Sequence, residues 1–349
     1  MKRTLITIAL LSVCCAVFAF SFEFGPEQSF FNQFKSDQFI PKTRLGAIVL
    51  TQSSPQGNLI RFDKMAGVPG QYYGEFKQFN NDKDNYYLQL QAGGGTSAFR
   101  FSWNGFEVGG RIEAYLRGVF FLLNGNDIVG FDGSYFMGFE ARIVECIVLK
   151  AGFRHFSGHV GDEVLHSLFQ ADPSFVNADL SEYVRDDYEL AIGFSSYTFP
   201  YIACGLSFAI PRRSTYMLPF AHRPDYISSG GKTNQERDPD SYAIRGDYGA
   251  SYLAMVINGE ITASYPFGSC TPYLSLQCRL HQDGTTNHTL VRDDDTNRWE
   301  EEFDIALGLS RNVNGRILAV EAIWHNGRFP LLNYYWKRDN SLSIVFSIS

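Results

Sequence analysis

Within residues 153–163, FRHFSGHVGDE, the side chains of His155, Ser157 and His159 stand two apart, and Asp162 and Glu163 follow directly. On an extended strand, residues two apart lie about 6.5–7 Å from each other and project in parallel, so an imidazole can reach a hydroxyl. A serine needs such a base to become a useful nucleophile. Ser157 and His155 are therefore candidates for the nucleophile and base of an acyl hydrolase. A third group to orient the histidine would have to come from a neighbouring strand. Glu189 is one choice, although its parity points it to the opposite face. The same stretch offers metal chemistry through His155, His159, Asp162 and Glu163, with the carboxylates as hard oxygen ligands suited to a divalent cation such as calcium. On a continuous strand His155 and His159 would be about 13 Å apart, too far to share an ion, so this reading requires a bend at Gly158. The third reading needs no chemistry. His and Ser would mark the polar end of a strand, and Asp162 and Glu163 the N-terminal charges of a short loop helix over 161–170. All three readings stay open at this level.

The element that positions these residues is one of many of the same kind. Apolar and polar residues alternate in 111–123, 132–144, 146–157, 187–197, 201–210, 272–280, 303–311 and 315–324. In 201–210, Ile202, Cys204, Leu206, Phe208 and Ile210 share one face, while small and polar residues share the other. Connections also alternate. IVEC (143–146), FP (199–200) and NVNG (312–315) are short, whereas 160–186, 211–241 and 281–300 are long and polar. No run of eighteen apolar residues follows the N-terminal segment, which leaves no transmembrane helix. Yet aromatics make up 15% of the chain, with a mean hydropathy of −0.15. Strands apolar on one face and polar on the other reconcile these facts. The pattern predicts an all-β chain, an antiparallel transmembrane β-barrel of about 12 strands (range about 10–14), with short periplasmic turns and long extracellular loops. The closing segment NSLSIVFSIS alternates Leu342, Ile344, Phe346 and Ile348, as a last strand presented to the barrel assembly machinery would.

Residues 1–19 carry Lys2 and Arg3, an apolar stretch to Phe18 and small residues before a cleavage point after Ala19, which reads as a cleavable signal peptide. Residues 20–41 are then expected as an N-terminal periplasmic segment and 42–349 as the barrel, placed in a bacterial outer membrane. Removing Lys2 and Arg3 with residues 1–19 takes the formal charge from −7 to −9. That balance argues against a nucleic-acid partner and leaves membrane lipid as the expected one. Cys270 and Cys278 fall on one strand, about 26 Å apart when extended, so they are not expected to pair.

By parity, Lys150 and Arg154 share a face opposite to His155, Ser157 and His159. A basic residue facing mid-bilayer lipid costs roughly 2–4 kcal/mol, so Lys150 and Arg154 are expected in the lumen and the histidine row on the lipid side. There HFS resembles the His-x-Ser pair that outer-membrane phospholipase A and the lipid A deacylases carry on a barrel strand. The longer stretch, with His155, Ser157, His159, Gly161, Asp162 and Glu163, resembles a family of bacterial outer-membrane β-barrel proteins of unknown function. Its hallmark is His-x-Ser-Ser-His-x-Gly-Asp-Glu; Gly158 stands here in place of the second serine. Similar segments at 124–143, 186–196 and 325–346 extend the resemblance over about residues 105–348. It implies location and fold, and no activity. HNGRF (325–329) reads as a turn at the outer side, built on Asn326–Gly327. The remaining histidines, 166, 222, 281 and 288, lie in or beside polar loops without ligand spacing. Two functions follow as expectations: a pore, transport or surface barrel, or a membrane-embedded lipid acyl hydrolase using Ser157 and His155.

Overall fold

The computed structural model describes residues 20–26, 30–31, 33–35, 37–52, 85–123, 128–161, 183–196, 198, 201–211, 255–282, 299–329, 331 and 338–349. The alternating segments all form strands: β1 (Phe20–Phe24), β2 (Thr43–Gln52), β3 (Tyr86–Trp103), β4 (Phe106–Phe121), β5 (Ile128–Val144), β6 (Ile147–Val160), β7 (Tyr183–Ser195), β8 (Tyr201–Pro211), β9 (Val256–Ser264), β10 (Thr271–His281), β11 (Glu300–Val313), β12 (Arg316–Arg328) and β13 (Arg338–Ile348). Strands β2 to β13 pair antiparallel in chain order, and β13 pairs back to β2. The wall is therefore a closed 12-stranded barrel with no unpaired edge to protect. Among the described residues there is no α-helix.

Outside, the rows Leu190 and Ile192, Leu274 and Leu276, Ile305 to Leu309, and Leu342 to Phe346 are exposed apolar side chains. Inside, the buried side chains are largely polar or charged, among them Glu113, Arg117, Asp132, Lys150, Arg154 and Arg279. An apolar belt outside a polar interior is the inverse of a water-soluble fold and identifies a transmembrane wall. The turns at one end are short. Asn104–Gly105 and Asn314–Gly315 both have positive φ at each residue, as two-residue type I′ hairpins require. Within the barrel, from β2 to β13, the long connections leave the opposite end, as the lengths of the polar segments predict.

The interior is partly filled by the chain itself. Residues 20–24 pair with the lower half of β3. At Gly25, φ +60°, the chain leaves the wall. It then runs inside the barrel before rejoining it as β2. This is where the structure departs from a periplasmic segment over 20–41. The physical reason is a set of matched contacts. Phe30, Phe31 and Phe34 pack on Val148 and Ala191. The Phe30 and Phe31 amides donate to Glu140, the Lys35 amide donates to Glu260, and Asp37 accepts from Asn258 and Arg279. Phe39, near the apex, lies between Arg117 and Arg279, at 4.8 and 4.6 Å from its ring centre. What remains of the lumen is a cavity of about 790 Å³.

HNGRF is the second departure. Residues 325–328 continue β12, with Asn326 opposite Asn340 and Phe303 and no turn at that point. Gly327 serves close approach instead. A Cβ there would lie 2.2 Å from Glu302 Cγ, so only glycine admits the carboxylate side chain across the strand pair.

A candidate active site on the lipid-facing wall

Strand β6 separates its residues as parity requires. Lys150 and Arg154 point inward and are buried; His155 and Ser157 share the outward row with Ala151 and Phe153. On β7, Asp187 and Glu189 are inward and Asp186 falls on the outward row with exposed Tyr188 and Leu190. The strand register sets His155 directly opposite Asp186, and Ser157 opposite Val184. On the other side, β5 presents Tyr135 opposite His155 and Gly133 opposite Ser157.

The result is a His–acid pair on the outer wall. His155 Nδ1 lies 2.7 Å from Asp186 Oδ1. Each side chain retains about a quarter of its exposure, 25% for both. The Tyr135 ring stacks on the imidazole, with centroids 4.9 Å apart and planes at 23°. Asp186 holds the ring from one edge and Tyr135 covers a face. Nε2 and Ser157 Oγ make no hydrogen bond among the described residues, so the row contains the parts of a triad with its last link unmade. Such links are often long before substrate binds.

The inner face of the same two strands explains why the register is so specific. Glu113 accepts from Arg111 at 3.0 Å, from Lys150 at 3.1 Å and from Arg154 at 2.7 Å. Glu189 pairs with Lys150 at 2.9 Å and with Arg154. Arg185 pairs with Asp187 at 2.7 Å. Each buried charge on β6 and β7 thus faces an opposite one, which is what makes burial tolerable. Glu189, considered from sequence as the third catalytic group, belongs to this inner network, as its parity indicates.

Strand β6 does not bend at Gly158 as the metal reading requires. The pairing of β6 with β5 runs without a break from Gly158 to Val160, and Gly158 itself pairs with Asp132 and Tyr183. The bend that would bring His159 to His155 is therefore absent, and the two stay about 13 Å apart along the strand. Asp162 and Glu163, like most of the expected loop helix over 161–170, lie outside the described residues. A different cluster does form inside the barrel, where Glu302, Asp304 and His325 bring ligand atoms within 4.8 Å of one another. Its groups are already engaged. His325 Nδ1 lies 2.6 Å from Asp304, and its Nε2 donates to the Arg328 carbonyl oxygen at 2.8 Å. Glu302 pairs with Arg279. Cys146, Cys204, Cys270 and Cys278 are all free thiols.

No family model matches the chain, and no curated protein matches it in sequence. Solved structures with similar folds are outer-membrane barrels. The outer membrane phospholipase of Salmonella typhi, a dimer with bound calcium, is 9% identical, with 88% of this chain and 91% of that one covered and a TM-score of 0.42. The transport unit of the autotransporter AIDA-I from Escherichia coli is 10% identical over 92% of both chains, with a TM-score of 0.40. The outer membrane channel DcaP of Acinetobacter baumannii is 7% identical over 95% of this chain and 97% of that one, with a TM-score of 0.27. The likeness is one of fold.

Asp186 and Tyr135 escape sequence reasoning. The signal available was Asp186–Asp187 itself. Adjacent acids on a strand face opposite ways, so one of them has to sit on the lipid side. Choosing its partner needs the β6–β7 register, which the long connection between those strands leaves open.

Proposed function

We propose that the protein is an outer-membrane lipid acyl hydrolase, of phospholipase or lipid A deacylase type, with Ser157 as nucleophile, His155 as base and Asp186 as the group that orients the base. The observation that carries this is the 2.7 Å contact between His155 Nδ1 and Asp186, on the same outward row as Ser157. A carboxylate at Nδ1 holds the proton on that nitrogen and leaves Nε2 as the acceptor, the tautomer a general base needs. The site faces lipid near the long-loop end of β6, where the ester bonds of a bilayer lipid lie. Ser157 Oγ would attack the ester carbonyl while Nε2 takes its proton. The imidazolium then returns that proton to the leaving alcohol, and water releases the fatty acid from the acyl-serine by the same route in reverse. An open pore has less support, because Phe30, Phe31, Phe34, Asp37 and Phe39 occupy part of the lumen.

The test is release of fatty acid from phospholipid or lipid A in mixed micelles by the purified barrel. Ser157→Ala is expected to lower the rate by about 10⁴-fold or to background, with the folded barrel retained. Activity that survives Ser157→Ala overturns the assignment. The same assay with and without chelator tests the divalent cation, such as calcium, expected from Asp162 and Glu163.

A further inference from the structure

Ser157 has no side chain beside it on one flank. Its partner on β5 is Gly133, and the residues two away on that outward row are Phe131 and Tyr135, both aromatic and exposed. Leaving out the middle side chain of three opens a gap of about 13 Å between the Cα atoms of its neighbours. Gly133 is therefore the floor of a notch walled by two rings and open to the Ser157 hydroxyl. One strand further, β4 sets Leu116 opposite Gly133. Leu116 is 59% exposed, and its Cδ1 lies 3.6 Å from where a Cβ on residue 133 would be. Leu116 and Phe131 also border an outward-facing apolar depression that continues over Gly118 to Leu90 and Leu45.

We infer that the notch at Gly133 seats the acyl chain of the substrate, with the chain running from Ser157 across Gly133 and along Leu116, so that residues 133 and 116 set acyl-chain specificity. This rests on the hydrolase reading of Ser157, His155 and Asp186. Apart from the Tyr135 hydroxyl, the groups along the track are apolar or lack a side chain, which suits hydrocarbon better than a headgroup. The ester would then sit between the track and the His155–Asp186 pair, with its acyl side toward β5 and its alcohol side toward the polar rim. A glycine is also the residue easiest to outgrow. A Cβ at 133 would lie 3.2 Å from the Tyr115 carbonyl oxygen and 3.6 Å from Leu116 Cδ1, so even a methyl group there crowds the β4 side of the notch.

The experiment compares kcat/KM for a long-chain phosphatidylcholine and for p-nitrophenyl acetate, whose acyl group ends at its first methyl. Wild type, Gly133→Ala and Leu116→Phe are assayed as folded barrels in the same detergent. Both variants are expected to lower the long-to-short ratio by about tenfold, the scale set by a methylene-sized change in an apolar site. Leu116 is exposed, so Leu116→Phe decides alone if Gly133→Ala does not fold. A wild-type barrel that cleaves neither substrate overturns the hydrolase reading, and the notch with it. A wild type that cleaves both, with variants whose ratio is unchanged or raised, overturns the notch alone and leaves the hydrolase standing.

Discussion

At the scale of single residues, the outward row asks for an explanation because its polar groups are expensive there. An imidazole and a carboxylate on a lipid-facing wall are tolerable only near the headgroups and only when they satisfy each other. His155 and Asp186 do so at 2.7 Å. Replacing Asp186 with Ala removes the group that fixes the imidazole tautomer, so fatty-acid release is expected to fall by about a hundredfold or more, read as a drop in kcat with KM little changed. An unchanged kcat would mean that the carboxylate is only a surface partner of the histidine. The His-x-Ser pair was legible in the sequence, since spacing two on a strand is enough to propose it. Asp186 was not, because its relation to His155 exists only across the β6–β7 register. Nor was Gly133, whose meaning comes from the serine that faces it on the next strand.

At the scale of elements, β6 and β7 each present unlike chemistry on their two faces. Arg154 and His155 are adjacent in sequence, and so are Asp187 and Asp186, yet one of each pair belongs to the lumen and the other to the site. Arg154 is buried and shared between Glu113 and Glu189. Arg154→Ala would leave those carboxylates with fewer cations in a buried network, at a cost of about 3–5 kcal/mol. Loss of heat-resistant mobility in gels at a markedly lower temperature would report it, and an unshifted transition would show that the network is dispensable. Alternation made most wall strands legible, including the inward orientation of Lys150 and Arg154. Where a glycine served close packing, as Gly327 does beneath Glu302, the same residue type imitated a turn and the reading failed.

At the scale of the whole molecule, the closed wall is legible from pattern and the filled interior is not. Nothing in residues 20–42 taken alone shows that they turn inward. Phe30, Phe31 and Phe34 could equally have covered another partner, and Asp37 becomes informative only once Arg279 and Asn258 stand around it. The inserted segment predicts a barrel that does not conduct. Replacing residues 27–41 with a short Gly/Ser linker is expected to produce single-channel steps in planar bilayers where the full chain is silent. A silent variant would mean that the inner ion pairs and Phe329, buried against Tyr87, close the lumen by themselves. The proposed lipid chemistry does not require an open lumen, because His155, Ser157 and Asp186 lie on the outward row.

The back-to-back placement of Arg154 with His155 also acts as a proofreading device. A slip of β6 by one residue would turn every side chain to the other face. It would carry Lys150 and Arg154 into hydrocarbon, at roughly 2–4 kcal/mol each, leaving Glu189 without its cations and Glu113 with Arg111 alone. Misthreaded walls are thereby rejected by their own cost. A barrel that survives assembly is one in which His155, Ser157 and Asp186 already look outward together.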